Sequence, residues 1–201
     1  MNFIKKFFLI LIFAALLFPW AVQASPARDQ LKLSIDAILD ILRNDPLKEE
    51  GNFQKRRDLL RRAIHARFDF EKISQLSLAR HWKGLSDQEK QRFVQLFSQL
   101  LETTYITKIE SYTNEKVVYG KDRVKKKKAQ VNTKIVTDTV EIPINYRMYT
   151  RDDSQWMIYD MVIEGVSLVA NYRSQFGQIL EKGSFENLVE LLEKKITDKE
   201  S

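Results

Sequence analysis

The apolar residues of this chain change their spacing twice, and that change restricts the fold more than any single motif does. Before residue 113 they recur at helical spacing. Leu31, Ile35, Ile38, Leu39 and Leu42 form one stripe, which Asn44-Asp45-Pro46 stops. Leu59, Leu60, Ala63, Ile64 and Phe68 form a second, ringed by Arg56, Arg57, Arg61, Arg62 and Arg67. A short helix is expected from about Asp69 to Leu78. Ser86 and Glu89 then make a capping box, followed by a wide stripe of Phe93, Leu96, Phe97, Leu100, Leu101, Tyr105, Ile109 and Tyr112. From Lys116 the period falls to two, through Val131/Thr133/Ile135, Ile142/Ile144/Tyr146/Met148 and Met157/Tyr159/Met161/Ile163. Thr137-Asp138-Thr139 and Asp152-Asp153-Ser154 have hairpin length. Pro143 pushes its strand toward an edge or a bulge. Gly165 is expected to end the sheet, after which helical spacing returns at Leu168–Leu180 and again at Phe185–Ile196, with Gly183 between. The pattern predicts an α+β fold, an antiparallel sheet of about four strands packed with surrounding helices.

The ends of the chain bound its address. Lys5 and Lys6 precede an apolar run from Phe7 to Phe18, then Pro19 and Val22-Gln23-Ala24. That is the layout of a secretory signal peptide over 1–24, too short for a comfortable membrane span. A single domain is then expected over 25–196, with a charged, fraying tail at 197–201. There is no cysteine, so disulfides, thiolate chemistry and a lipid-modified cysteine tether are excluded. The net charge of +6 less the two signal lysines leaves +6 − 2 = +4 on the remainder. Such a chain is drawn toward anionic surfaces. Export to the periplasm would make these phospholipid headgroups or acidic proteins rather than nucleic acid.

Nothing in the chain resembles a reaction centre. His65 and His81 lack a paired metal-ligand spacing. Ser167 lies in Gly165-Val166-Ser167-Leu168-Val169, which lacks the second glycine of a nucleophile elbow, and reads as a helix N-cap. Asp160 and Glu164 are better read as partners for nearby arginines than as an acid/base pair. No glycine-rich phosphate loop exists, no metal or cofactor is expected, and the chain reads as a non-enzyme. Aromatic residues and methionines recur on the expected inner faces, which fits either a filled core or an adaptable apolar pocket. The run Lys121, Arg123, Lys125, Lys126, Lys127 and Lys128, interrupted by Asp122 and Val124, is expected to connect two strands. It reads either as a solvated loop guarding a sheet edge or as a docking patch for anionic lipid or an acidic partner.

Several segments carry a family likeness. They are Phe68-Asp69-Phe70, Leu78 to Trp82, Ser86 to Phe97, Trp156-Met157-Ile158-Tyr159-Asp160, Ile163-Glu164-Gly165-Val166-Ser167-Leu168, and Asn171-Tyr172-Arg173 with Gln175-Phe176. Together they resemble the MlaC-type periplasmic phospholipid-binding proteins, also called toluene-tolerance auxiliary proteins. Ala79 departs from the glycine that the family commonly has there.

The resemblance implies an apolar cavity that holds lipid tails and leaves the headgroup outside, with phospholipid as cargo. It also implies exchange between an outer-membrane lipoprotein complex and an inner-membrane ABC transporter, which maintains outer-membrane lipid asymmetry. A monomer is expected. The expected tail-pocket wall is Phe93, Phe97, Leu100, Leu101 and Tyr105, faced by Tyr146, Met148, Met157, Tyr159 and Met161. Ser167, at a helix N-terminus, and Arg173 are the headgroup candidates. A one-residue slip of register would invert the strand face that lines the cavity. The competing reading is a periplasmic scaffold or adaptor with a filled core.

Overall fold

The computed structural model describes residues 24–112, 115–152 and 154–200. The expected signal segment therefore lies outside the described residues, apart from Ala24. Helix α1 spans Pro26–Arg43. Ser25 caps it by accepting from the Arg28 amide at 3.3 Å, and Pro26 opens it where a backbone N–H is not needed. Two 3-10 turns follow, Asp45–Lys48 and Glu50–Asn52. Then come α2 (Phe53–His65), α3 (Phe70–Leu78) and α4 (Asp87–Glu110). The Ser86–Glu89 capping box is present at the start of α4, with both reciprocal bonds made. Asp69 caps α3 by accepting from the Lys72 amide at 2.8 Å.

Between α3 and α4 runs a 3-10 segment, Ala79–Gly84. Its first residue, Ala79, has φ 49°. A Cβ is strained in that region by about 1–3 kcal/mol, whereas glycine is not. Glycine also loses about 0.5–1 kcal/mol more backbone entropy on folding. Ala79→Gly is therefore expected to stabilise the protein by about 1 kcal/mol, seen as a higher urea midpoint at unchanged slope. A lowered midpoint would show that Ala79 is not strained.

Among the described residues the sheet is antiparallel throughout and holds six strands: β1 (Lys116–Tyr119), β2 (Arg123–Lys125), β3 (Lys128–Val136), β4 (Glu141–Thr150), β5 (Trp156–Ile163) and β6 (Val166–Ser167). The order is β1-β3-β4-β5-β6, and β2 pairs with β3 beyond β1. The four expected strands are present; β2 and β6 are additions too short to show a period. Glu164 and Gly165 both have positive φ, 49° and 85°, which makes a tight two-residue turn into β6. Gly165 thus turns the sheet back instead of ending it.

Pro143 also sits differently from the expectation, because β4 is an interior strand. Its carbonyl accepts from the Glu164 amide at 3.0 Å. The N and O of one strand residue point to the same side, so its nitrogen faces the Glu164–Gly165 turn, at the very end of the β4–β5 ladder. Helices α5 (Leu168–Lys182) and α6 (Phe185–Glu200) complete the chain. The charged tail expected from Thr197 continues the last helix: α6 runs to Glu200, with Ile196 buried.

Two buried clusters organise the interior. One is helical: Phe93, Phe97, Leu100 and Leu101 of α4 pack with Tyr172, Phe176, Leu188 and Leu192 of α5 and α6. The other joins Ala27 and Leu31 of α1 to Ala129, Val131, Met148, Trp156 and Ile158 of the sheet. Phe68 packs against both. Its segment pairs with β5: the Ile158 amide donates to the Arg67 carbonyl at 2.8 Å, and the Asp69 amide donates to the Ile158 carbonyl at 2.9 Å. Phe68-Asp69-Phe70 therefore covers a sheet edge, bridges two cores and starts α3 within three residues.

Candidate functional site

Which side chains share a face of the sheet is decided by a bulge. Arg147 pairs with Asp160, and the next β4 residue, Met148, pairs with Ile158, which leaves Tyr159 as an extra residue. Before and after it, the side-chain alternation of β5 is inverted. The inner face, covered at one end by α1, therefore carries Tyr146, Met148, Ile158, Met161 and Ile163. Met157 and Tyr159 lie on the outer face, where Tyr159 meets Tyr149 edge-on at 6.0 Å between centroids. Of the five expected sheet contributors, Tyr146, Met148 and Met161 are thus together, and Met157 and Tyr159 are not.

The α4 contributors separate in the same way. Phe93 and Phe97 have no exposed surface. Phe97 meets Tyr172 at 4.8 Å and Phe176 at 5.1 Å, both edge-on, and Phe93 meets Phe176 edge-on at 5.6 Å. With Leu100 they fill the helical cluster and do not face Tyr146 or Met161. Leu101 is also buried in this cluster. Tyr105 is only half-buried at its border, and burial raises its hydroxyl pKa.

The remaining apolar surface of the inner face forms the candidate site. Ile135, Ile142, Tyr146, Met161 and Ile163 are all half-buried, as are Val117 and Tyr119 on β1. The register places Tyr119 beside Thr133, and Val131 beside Tyr146. Tyr146 keeps accessible surface, yet burial pushes its hydroxyl pKa up to about 12. Burial also raises the Tyr119 hydroxyl, helped by the nearby Asp36 carboxylate and Tyr146. The Tyr119 hydroxyl is inaccessible to solvent and has no hydrogen-bond partner among the described residues. It is one of seven buried side-chain polar atoms without a partner among the described residues, and the one that lies on this face beside Tyr146. Tyr119 was not among the expected site residues, because β1 shows too few alternations to assign a face.

The headgroup candidates are occupied otherwise. Ser167 caps α5, accepting from the Ala170 amide at 3.1 Å while its hydroxyl donates to Asp160 Oδ2 at 2.7 Å. Asp160 Oδ1 accepts from the Val169 amide at 3.0 Å. The anion at this helix N-terminus is therefore the protein's own carboxylate, which corrects the expectation that these amides meet a phosphate. Asp160 also pairs with Arg147 at 2.9 Å, as its arginine reading required, whereas Glu164 lies in the β5–β6 turn. Arg173 bonds to neither acid; its Nε donates to the Leu76 carbonyl at 2.8 Å and ties α5 to α3.

A polar cleft of about 130 Å³, lined by Asp69, Glu71, Lys72, Gln75, Tyr149 and Arg151, opens beside α3. The Tyr149 hydroxyl donates to Asp69 Oδ2 there. His65 sits 2.5 Å from Glu102, and among the described residues no three acids or histidines group as a metal site. Nor is any described helix long and apolar enough to cross a membrane. The basic run is partly strand: Arg123–Lys125 form β2, and Lys126-Lys127 turn the chain into β3.

These features define an α+β fold with a half-buried apolar sheet face. The chain belongs to the MlaC protein family, whose model matches residues 32–194. It is 23% identical to the intermembrane phospholipid transport system binding protein MlaC of Haemophilus influenzae, over 94% of this chain and 93% of that protein. It also matches the solved structure of a phospholipid-binding protein from Ralstonia solanacearum in complex with a phospholipid. That match has a TM-score of 0.80 and 25% identity over 88% of this chain and all of the other.

Proposed function

We propose that this chain is a periplasmic phospholipid carrier that holds acyl tails against the inner face of its sheet. The observation that carries the reading is the half-buried apolar set around Tyr146, Met161 and Ile163, with the orphan Tyr119 hydroxyl among it. The tail wall consists of these residues, with the half-buried Tyr105 at the border of the helical cluster. Arg173 is a headgroup contact through the part of its guanidinium not bonded to Leu76. A secretory leader over 1–24 delivers the chain, which acts as a monomer without metal or cofactor and performs no chemistry on its cargo. The carrier exchanges lipid between an outer-membrane lipoprotein complex and an inner-membrane ABC transporter, and so maintains outer-membrane asymmetry. The phospholipid bound by the Ralstonia solanacearum protein supports the cargo, and the transport system named for the Haemophilus influenzae relative supports the route.

The energetics suit a shuttle. Moving ~30 methylenes from water into the protein yields ~24 kcal/mol at ~0.8 each, beyond the practical affinity ceiling of about 18–21 kcal/mol. A bilayer donor already keeps its tails dry, so transfer is close to neutral and reversible. Direction then comes from the partners.

Native mass spectrometry of protein purified from periplasm without detergent tests the reading, with a phospholipid adduct as the expected result. A bare mass that stays bare after mixing with liposomes would favour a scaffold. Tyr119→Phe sharpens the test. Removing an orphan hydroxyl leaves the lipid-free protein as stable as before or up to about 1 kcal/mol more stable. If that hydroxyl donates to an ester oxygen of the lipid, retention falls by about five-fold, the equivalent of roughly 1 kcal/mol. Unchanged retention would remove Tyr119 from the site.

A further inference from the structure

We propose that the β2–β3 hairpin is a docking tip for anionic bilayer surfaces, an inference that deepens the carrier reading and rests on it. Lys121, Arg123, Lys125, Lys126, Lys127 and Lys128 are all exposed. Among the described residues none of the six forms an ion pair, whereas Arg28, Arg57, Arg61, Arg80, Arg92, Arg147 and Arg151 each do. The acid inside the run is neutralised from behind. Asp122 accepts from Arg28 at 2.6 Å and from the Ser25 amide at 3.3 Å, so it is directed toward α1. The tip's outward charge is therefore positive, six cations against the single acid Asp122.

Two further features set this hairpin apart from an ordinary solvated loop. Val124, between Arg123 and Lys125, is 48% exposed, so an apolar side chain stands among the cations. Lys126 holds φ 53° at the first position of a two-residue turn, a conformation that favours glycine. A lysine is thus kept where glycine would be less strained. The turn is also held in place: the Thr150 amide donates to the Lys127 carbonyl at 3.1 Å, and Lys127 Nζ donates to the Arg151 carbonyl at 2.5 Å.

The tip's position fits loading from a membrane. Tyr119 precedes Lys121 by two residues, and the Gly120 amide donates to the Asn132 carbonyl at 2.8 Å. From the Tyr119–Thr133 row to Lys128 is five residues, or about 17 Å of strand. Cations at the headgroup level would then hold the Tyr119–Thr133 row within one leaflet's depth of the surface. An acidic protein face would match the charge but not the exposed valine, so a bilayer is the better fit.

Flotation of the mature chain with vesicles tests this, comparing phosphatidylglycerol-containing vesicles with pure phosphatidylcholine. Each cation at an anionic surface contributes roughly five-fold to binding. Replacing Arg123, Lys125 and Lys126 by Gln is therefore expected to weaken association with the anionic vesicles by roughly 100-fold. Association of the unaltered chain should also collapse as salt rises to half-molar, an outcome that does not depend on any variant folding. Lipid content by native mass spectrometry, read on the same samples, should not change. Equal vesicle binding by the variant, or salt-insensitive binding, would overturn the docking tip. So would a lipid-loaded chain that ignores anionic vesicles, which would assign the cations to an acidic protein. A chain that docks but carries no lipid would support the tip and refute the carrier.

Discussion

Asp160→Ala is expected to destabilise the protein by about 3–5 kcal/mol, the largest loss from any single polar side chain here. Asp160 is 3% exposed, and its carboxylate serves three donors on three elements. Arg147 on β4 reaches it at 2.9 Å, the Ser167 hydroxyl at 2.7 Å and the Val169 amide of α5 at 3.0 Å. Truncation leaves the Ser167 hydroxyl and a buried backbone N–H without their acceptor, and it removes a negative charge from a helix N-terminus. It also loosens α5, which carries Val169, Tyr172 and Phe176 into the helical core. Asp160→Asn keeps one acceptor and nearly the same shape, so its loss should be smaller, about 1–3 kcal/mol. Urea unfolding of the three proteins measures this. A loss below about 1 kcal/mol for the alanine variant would mean that water replaces the carboxylate and that the junction is not held by it.

The same residue shows how much of the molecule the sequence could disclose. Helices, caps and the α+β class were legible because each rests on local rules. Ser86–Glu89, Ser167 and the stop after Leu42 are read from neighbours three or four residues apart. The face assignment in β5 was not legible, since Met157, Tyr159, Met161 and Ile163 alternate without a break. Only pairing with β4 shows that Tyr159 is extra. Likewise, Ser167 at a helix N-terminus is open to an incoming phosphate when seen alone. Asp160, seven residues earlier, occupies that place only because β5 and α5 fold back on each other. The short strands β2 and β6 have no period to detect. Tyr119 enters the proposed site only through the pairing of β1 with β3, which sets it beside Thr133 on the inner face.

The division of the aromatic stripe from the sheet face leads to the second large effect. Phe97→Ala is expected to cost about 3–5 kcal/mol of stability, the range for removing a fully buried aromatic ring. Its ring is closed in by Phe93 at 5.5 Å, Tyr172 at 4.8 Å and Phe176 at 5.1 Å, so truncation opens a void that these rigid neighbours fill poorly. The folded fraction should nevertheless keep its full complement of lipid, because Phe97 packs in the helical cluster away from Tyr146 and Met161. Met161→Glu supplies the contrast. Met161 is half-buried on the inner face, so a carboxylate there can stay partly hydrated and should cost only about 1–2 kcal/mol. It would, however, set a charge against acyl chains, and lipid retention should fall at least about ten-fold. Native mass spectrometry at matched folded fraction separates the two responses. If Phe97→Ala lost lipid as completely as Met161→Glu, the tail wall would extend through the helical cluster, as the continuous stripe on α4 first suggests. If only Met161→Glu lost it, the bulge at Tyr159 would be the feature that sets which side chains meet the cargo.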